Sequence, residues 1–175
     1  VGIFSRMFNR STKEKKEKMR EGKKIELLNI DCIEFMKTCA DNEFDLAICD
    51  PPYGLGIDGQ KLNNTNKNPK HNRKAHDFKG WDNAIPNEEY FKELFRVSKN
   101  QIIWGGNYFP LPLTKSWIFW DKNVPDGVSF ADGELAWTSF DKTLVKAKVK
   151  YSGFQGMDNG GKIHPTQKPV QLYNW

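Results

Sequence analysis

The sequence predicts an α/β domain with an incomplete doubly wound sheet, and two observations support that prediction. Short apolar runs typical of buried strands recur along the chain, and a segment with helical spacing of apolar residues lies between two of them. Strand, helix and strand in succession are typical of doubly wound sheets. We assign residues 25–175 to this domain and expect the segment 1–24, which is rich in lysine and arginine, to be mobile.

The first half of the domain reads as strand, helix, strand, helix. Residues 25–30 are apolar and are expected to be extended, and residues 31–36 read as the start of a helix with Asp31 near its N-terminus. The run Leu46–Cys49 is nearly uniformly apolar, which predicts a central parallel strand buried on both faces. Apolar residues at helical spacing over 87–99 predict a crossover helix that packs on the sheet.

The second half is expected to complete the sheet. Gln101–Trp104 and residues 117–120 are apolar runs that end in a turn and an acid, respectively, and both predict strands. Residues 135–140 and 145–151 alternate between apolar and polar side chains on either side of an Asp-Lys pair. This pattern predicts an antiparallel hairpin at one edge of the sheet.

Chemistry is expected where the strand at 46–49 ends. Asp50 is followed by Pro51 and Pro52, which fix two φ angles, lack N–H donors and hold Asp50 extended. The Asp50 carboxylate and the Pro51 carbonyl then form a rigid acceptor pair at the carboxyl end of a parallel strand, where open α/β sheets bind ligands. Tyr53 adds an aromatic face, so a nucleobase with an exocyclic amine would fit. An ordinary strand end with a proline turn is the alternative.

Two motifs resemble those of the DNA amino-methyltransferases. Residues 50–53 match their Asp-Pro-Pro-Tyr motif, and residues 164–169 are similar to their His-Pro-Thr-Gln-Lys-Pro segment. The order is that of the subgroup in which the catalytic motif precedes the cofactor half. The resemblance implies a Rossmann-like, S-adenosylmethionine-dependent methyltransferase fold. It also implies methyl transfer to a flipped-out base of double-stranded DNA, with adenine N6 favoured over cytosine N4 because an Asp opens the motif.

The resemblance implies a set of site residues. The catalytic residues would be Asp50, Pro51, Pro52 and Tyr53, and the cofactor-binding residues Asp31, Cys32, Asp50, His164, Thr166 and Lys168. The segment around Lys168 would hold the methionine end of the cofactor, and Thr166 can cap a helix beginning at Gln167, which would put Lys168 near its positive end. Asp31 and Cys32 would lie near the adenosine. A simple helix cap is an equally good role for Asp31.

A basic loop is the candidate DNA contact. Residues 58–81 are polar, basic and too long for a plain connector, and they directly follow the catalytic turn, so we expect a mobile loop over the site. A net charge of +5 and a pI near 9.0 favour a polyanionic partner. A solvated surface loop is the alternative. The predicted DNA-binding residues are Tyr53, Lys61, Lys67, Lys70, Arg73 and Lys74.

The family's glycine-rich cofactor loop is expected after the second motif, and the chain stops at Trp175 before reaching one. An inactive chain is therefore one expectation. The strand beside 46–49 would also be absent, leaving an unpaired edge open to self-association or to a missing C-terminal half. An RNA amino-methyltransferase and a truncated, non-catalytic DNA-binding remnant are the alternatives. A protein-glutamine methyltransferase fits less well, since that group carries Asn where Asp50 stands.

Composition bears on the compartment. The three cysteines are odd in number and lack metal-ligand spacing, which favours a reduced, cytoplasmic protein without a metal site. No long apolar segment is present, and we expect neither a signal peptide nor a membrane span.

Overall fold

The computed structural model of the protein describes residues 2–5, 26–59, 77–127, 131–149, 164 and 166–175, with residues 2–5 described as backbone alone. The described strands are β1 (Gly2–Ser5), β2 (Leu46–Cys49), β3 (Gln101–Trp104), β4 (Trp117–Asp121), β5 (Gly133–Thr138) and β6 (Val145–Lys148). The described helices are α1 (Cys32–Lys37), α2 (Glu88–Val97) and α3 (Val170–Asn174), with a 3₁₀ turn at Gly106–Tyr108. Together they form an α/β fold.

The described strands form one mixed sheet in the order β1-β2-β3-β5-β4-β6. β2 runs parallel to β3, with Ile48 beside Ile102, and β4 runs parallel to β6. The other neighbouring pairs, β1 with β2, β3 with β5 and β5 with β4, are antiparallel. The parallel pair β2 and β3 places the ends of both strands at the same edge of the sheet, and the candidate site lies there.

Helices cover both faces of the sheet. Ala47, Cys49 and Ile103 point to one face and pack with Met36 of α1 and Leu94 of α2 in a buried core. The opposite face carries a second core of Trp104, Trp120, Ala136 and Ala147, on which Leu172 of α3 packs. Neighbouring residues of β3 enter different cores because successive side chains of a strand alternate between faces.

Both predicted helices before the second motif begin as the sequence indicates. The Asp31 carboxylate caps α1 by accepting from the backbone N–H groups of Ile33 and Glu34, and Asn87 caps α2 by accepting from Tyr90 N–H. Arg96 of α2 donates to the backbone carbonyls of Met36 and Cys39 at the end of α1. The guanidinium therefore satisfies carbonyls that a helix end leaves unpaired and fixes α1 on α2.

The predicted strand at 25–30 is wrong for the described part of that range. Residues 26–30 have no regular secondary structure, and Leu27 is 91% exposed. A strand needs a partner with free backbone groups, and the side of β2 away from β3 is occupied by β1. The expected unpaired edge of β2 is therefore also wrong, because Gly2–Ser5, inside the segment expected to be mobile, pairs along its whole length.

The predicted hairpin at 135–140 and 145–151 is wrong as well. β5 pairs with β3 and β4, whereas β6 pairs only with β4 among the described strands and runs parallel to it. Alternation identifies a strand but not its partner. β6 does lie at the edge of the sheet, and its exposed lysines, Lys146 and Lys148, suit an edge because charged side chains discourage pairing with another chain.

Candidate active site

The candidate active site lies at the carboxyl ends of β2 and β3. Asp50 directly follows β2, and 25% of its side chain is exposed. Pro51 is buried behind it and Pro52 is half-buried. Tyr53 donates a hydrogen bond from its hydroxyl to Asp50 Oδ1 at 2.8 Å. The predicted catalytic residues therefore share one turn in which the tyrosine orients the carboxylate.

The Tyr53 ring is enclosed by the turn that follows β3. Gly105 has a φ of +69°, and a Cβ on it would lie 2.3 Å from the Tyr53 ring, so only glycine fits both the conformation and the contact. Tyr108 stacks on Tyr53 with ring centroids 5.1 Å apart, and Phe109 meets it edge-on. Burial and then the Asp50 charge raise the pKa of Tyr53. The phenol therefore stays protonated and able to donate.

Lys168 completes the cluster from a segment 118 residues away along the chain. Its Nζ lies 2.6 Å from Asp50 Oδ1 and 3.1 Å from the Tyr53 hydroxyl, and only 3% of its side chain is exposed. The ammonium also faces the rings of Tyr53 and Trp104. The two motifs found in the sequence thus meet at one carboxylate oxygen.

The segment around Lys168 is fixed by α3. Pro169 and Leu172 are buried, and Leu172 packs in the second core with Trp104. The predicted helix start at Gln167 with a Thr166 cap is wrong, because the helix begins at Val170 and Pro169 is its N-cap. A residue that precedes a proline is kept out of the helical conformation. Lys168 precedes Pro169, so a helix cannot run through Lys168.

His164 and Thr166 lie beside each other on the same segment. The His164 Nδ1 and Thr166 Oγ1 atoms are 3.1 Å apart, and the His164 ring lies 5.0 Å from that of Trp81. His164 is exposed and Thr166 is half-buried. Their predicted contact with a cofactor stays a prediction.

A glutamate that sequence reasoning missed adjoins Lys168. Glu134 of β5 has Oε2 3.3 Å from Lys168 Nζ and Oε1 2.6 Å from Lys122 Nζ. Burial raises the pKa of Glu134, but the charges of Lys168 and Lys122 outweigh burial and hold it below the usual value. Two carboxylates and two ammonium groups thus form a neutral cluster. The Glu-Leu-Ala run in β5 carries no signal that its acid points inward.

Asp31 and Cys32 lie at the far side of Pro51. The Asp31 carboxylate is engaged as the cap of α1. Cys32 lines a mainly apolar pocket of about 400 Å³ together with Ile33, Pro51, Pro52, Ala84, Ile85, Pro86, Asn87 and Tyr90. Burial and then the Asp31 charge raise the pKa of the Cys32 thiol, so it stays neutral. The pocket therefore joins the start of α1 to the proline turn.

Two further aspartates, also missed from the sequence, fix the chain beyond Tyr53. Asp82 is 1% exposed, and its two oxygens accept from the backbone N–H groups of Gly54 and Ile57 at 2.8 and 2.9 Å. Asp58 accepts from the N–H groups of Lys79 and Trp81. The ends of the predicted loop at 58–81 are therefore tied to each other and to the turn that carries Asp50.

The remaining predicted DNA contacts, Lys61, Lys67, Lys70, Arg73 and Lys74, lie outside the described residues. Within the described ranges, no three or more His, Cys, Asp or Glu side chains are grouped to hold a metal ion, and no helix is long and apolar enough to cross a membrane. The three cysteines are free thiols.

Comparison with known proteins does not assign the chain to a family, because no protein-family model matches it and no curated protein matches it either.

Proposed function

We propose that the Asp50 cluster is the active site of an S-adenosylmethionine-dependent DNA amino-methyltransferase, with adenine N6 as the methylated atom. The observation that carries the proposal is the contact between Lys168 Nζ and Asp50 Oδ1. Each residue belongs to a separate motif that resembles the same enzymes. A direct contact between them across 118 residues is hard to reconcile with two unrelated chance matches.

The described residues fit the cofactor that the resemblance implies. The pocket at Cys32 is apolar, adjoins the proline turn and is open enough for a nucleoside. Cys32 and Pro51, which line this pocket, would hold the adenosine there, with Asp31 preceding Cys32 in the chain. Lys168, with His164 and Thr166 on its segment, would hold the methionine end. The cofactor supplies an electrophilic sulfonium methyl group when it is bound.

The protein's own task is to make the amine nucleophilic. The amine of adenine is a poor nucleophile because its lone pair is delocalised into the ring. Hydrogen bonds from the amine to the Asp50 carboxylate and to the Pro51 carbonyl favour the pyramidal geometry in which the lone pair is available. Because Tyr53 donates to the same carboxylate, it fixes the direction in which Asp50 accepts.

An aromatic surface suited to a flipped base lies next to this carboxylate. The Tyr53 and Tyr108 rings are nearly parallel, 18° apart, and Tyr108 is partly exposed. A base amine inside a duplex is out of reach, so the base must leave the stack and gain stacking energy elsewhere. The basic loop at 58–81 follows Tyr53 in the chain and would neutralise phosphates.

Calorimetric titration of S-adenosylmethionine into the chain tests the proposal. We expect saturable binding that weakens in Lys168→Ala, because the cofactor carboxylate loses its cation. Lys115→Ala is the matched control, since Lys115 forms an exposed ion pair with Asp141. A folded chain that binds neither S-adenosylmethionine nor adenine-containing nucleic acid would refute the proposal. A preference for RNA over DNA would move it to the RNA amino-methyltransferases.

A further inference from the structure

We infer that Glu134 is a positioning residue that holds the Lys168 ammonium while Asp50 binds the substrate amine. The inference rests on the proposed function, since it takes Asp50 to be the acceptor for an exocyclic amine. Nothing in the two motifs points to Glu134. Its role follows from where the described side chains place their charges.

An amine that binds Asp50 at Oδ1 meets two donors already there. Asp50 Oδ1 already accepts from the Tyr53 hydroxyl at 2.8 Å and from Lys168 Nζ at 2.6 Å. Two strong donors, one of them charged, compete with any third donor at that oxygen. An amine that binds at Oδ1 must therefore displace one of them, and Lys168 is the donor with a second carboxylate nearby.

A Lys168 ammonium displaced from Asp50 needs another partner. Only 3% of the Lys168 side chain is exposed, and a buried charge without a partner is strongly unfavourable. Glu134 Oε2 lies 3.3 Å from Lys168 Nζ, is buried, and accepts no hydrogen bond among the described residues. Shortening that distance to about 2.8 Å would convert the contact into a charged hydrogen bond. Glu134 thus provides an acceptor, already ion-paired with Lys168, to which the displaced ammonium can move closer.

The Glu134 carboxylate has a fixed position in the sheet. Glu134 lies on β5, an interior strand, beside Trp120 of β4. Its other oxygen, Oε1, is held 2.6 Å from Lys122 Nζ. The carboxylate is therefore fixed in place and its charge is kept by two ammonium groups. Lys168, at the end of a flexible stem, is the member of the cluster that can move.

Glu134→Gln separates these roles with little change in shape. A neutral amide holds an ammonium less well than a carboxylate, so Lys168 would stay on Asp50 and exclude the amine. If Lys168 is removed as well, the competition ends and the identity of residue 134 no longer matters. The inference therefore predicts that the effect of Glu134→Gln depends on Lys168.

The experiment measures recognition of the amine alone. Fluorescence anisotropy gives the dissociation constants of the chain for a single-stranded oligonucleotide containing one adenine and for the same strand containing purine, which lacks the amine. The ratio of the two constants reports the contact to Asp50. We expect a ratio of about 10 or more for the wild type, as for a hydrogen bond to a charged group.

Five variants are compared in this assay, with Asp50→Ala as the test of the contact itself. We expect Glu134→Gln to bring the ratio close to 1, Lys168→Met to keep it at or above the wild-type value, and the double variant to match Lys168→Met. Glu93→Gln is the matched control, because Glu93 is also a largely buried glutamate in an ion pair, with Arg96, away from the site. Thermal melting is the check that each variant is folded. If Lys168→Met is not folded, Lys168→Gln replaces it.

Each outcome has one meaning. A wild-type ratio above 10 that Glu134→Gln leaves unchanged would overturn the inference and leave the proposed function standing. A fall of the same size in both lysine backgrounds would also overturn it, because Glu134 would then act independently of Lys168. A wild-type ratio of 1, unaffected by Asp50→Ala, would contradict the proposed function itself and the inference with it.

Discussion

Two aspartates on either side of the Pro51-Pro52 turn differ in the groups that satisfy them. Asp82 is buried and accepts from the backbone N–H groups of Gly54 and Ile57. Asp50 is a quarter exposed, and its partners include the side chains of Tyr53 and Lys168. Backbone donors cannot leave without unfolding the turn, whereas a side chain can rotate away. Asp82 therefore holds the turn through the backbone, whereas Asp50 has donors on side chains that can move.

The same contrast explains why only one of them is a candidate catalytic group. A carboxylate whose oxygens are fixed on amides has nothing to offer a substrate. A carboxylate held by an ammonium and a phenol can accept from a substrate when another acceptor takes the ammonium, and Glu134 lies within reach of Lys168.

Asp50→Ala should give the largest effect, and it should be on rate. By analogy with removal of one preorganised polar contact, we expect methyl transfer to fall by about 10²–10³-fold. Single-turnover rates at saturating S-adenosylmethionine measure it. Asp141→Ala, which removes an exposed acid, is the control. Equal rates for Asp50→Ala and the wild type would remove Asp50 from the mechanism.

Asp82→Ala should act on stability. It removes a buried carboxylate that accepts from the amides of Gly54 and Ile57, which we expect to cost about 1–3 kcal/mol. Urea unfolding of the variant and of Asp141→Ala measures the difference, and the latter should change by less than about 0.5 kcal/mol. A variant as stable as the wild type would show that the turn does not depend on Asp82.

Tyr53 should separate stacking from orientation. Tyr53→Ala removes the ring on which the partly exposed Tyr108 stacks, and it should weaken binding of an adenine-containing single strand by roughly 5–150-fold, the range for loss of one base-stacking contact. Tyr53→Phe keeps the ring but loses the hydroxyl that orients Asp50. We expect it to bind nearly as well but to transfer more slowly. Weak binding by the phenylalanine variant would contradict this division.

The Glu134 charge should give the smallest effect, visible as a dependence of stability on pH. Its pKa in the folded protein lies below the ordinary 4.5, so the unfolded chain takes up the proton first. The stabilisation is therefore complete above about pH 4.5 and is lost as the pH falls towards the folded value. Urea unfolding should give the wild type a larger free energy of unfolding than Glu134→Gln at pH 7. This difference in free energy should become smaller below about pH 4.5. A gap that is constant or widens in acid would contradict the ion pairing.

Apolar runs, apolar stripes and helix caps in the sequence correctly predicted several individual strands and helices. β2 and β3 are continuous apolar runs, α2 has an apolar stripe behind an Asn cap, and α1 begins at the Asp31 cap. The pairing of β5 and β6, and of β1 with β2, was not predictable in this way. Pairing depends on which free edges meet in the folded chain, and alternation along a single strand does not encode that choice.

The site was predictable where a motif is contiguous and not where it is assembled. Asp50 and Tyr53 are three residues apart, so the sequence alone could join them. Lys168 was placed in the site by the second motif, but its contact with Asp50 depends on α3 docking through Leu172. Glu134 and Asp82 are single acids whose importance comes entirely from burial beside a partner, which has no sequence signature.

We propose that Asp50 directs methyl transfer to an exocyclic amine. The most direct test incubates the chain with methyl-labelled S-adenosylmethionine and DNA, digests the DNA to nucleosides and identifies the labelled product. We expect labelled N6-methyldeoxyadenosine from the wild type and a much smaller amount of it from Asp50→Ala. A folded chain that binds the DNA but labels no nucleoside would contradict the claim and favour a DNA-binding protein without catalytic activity.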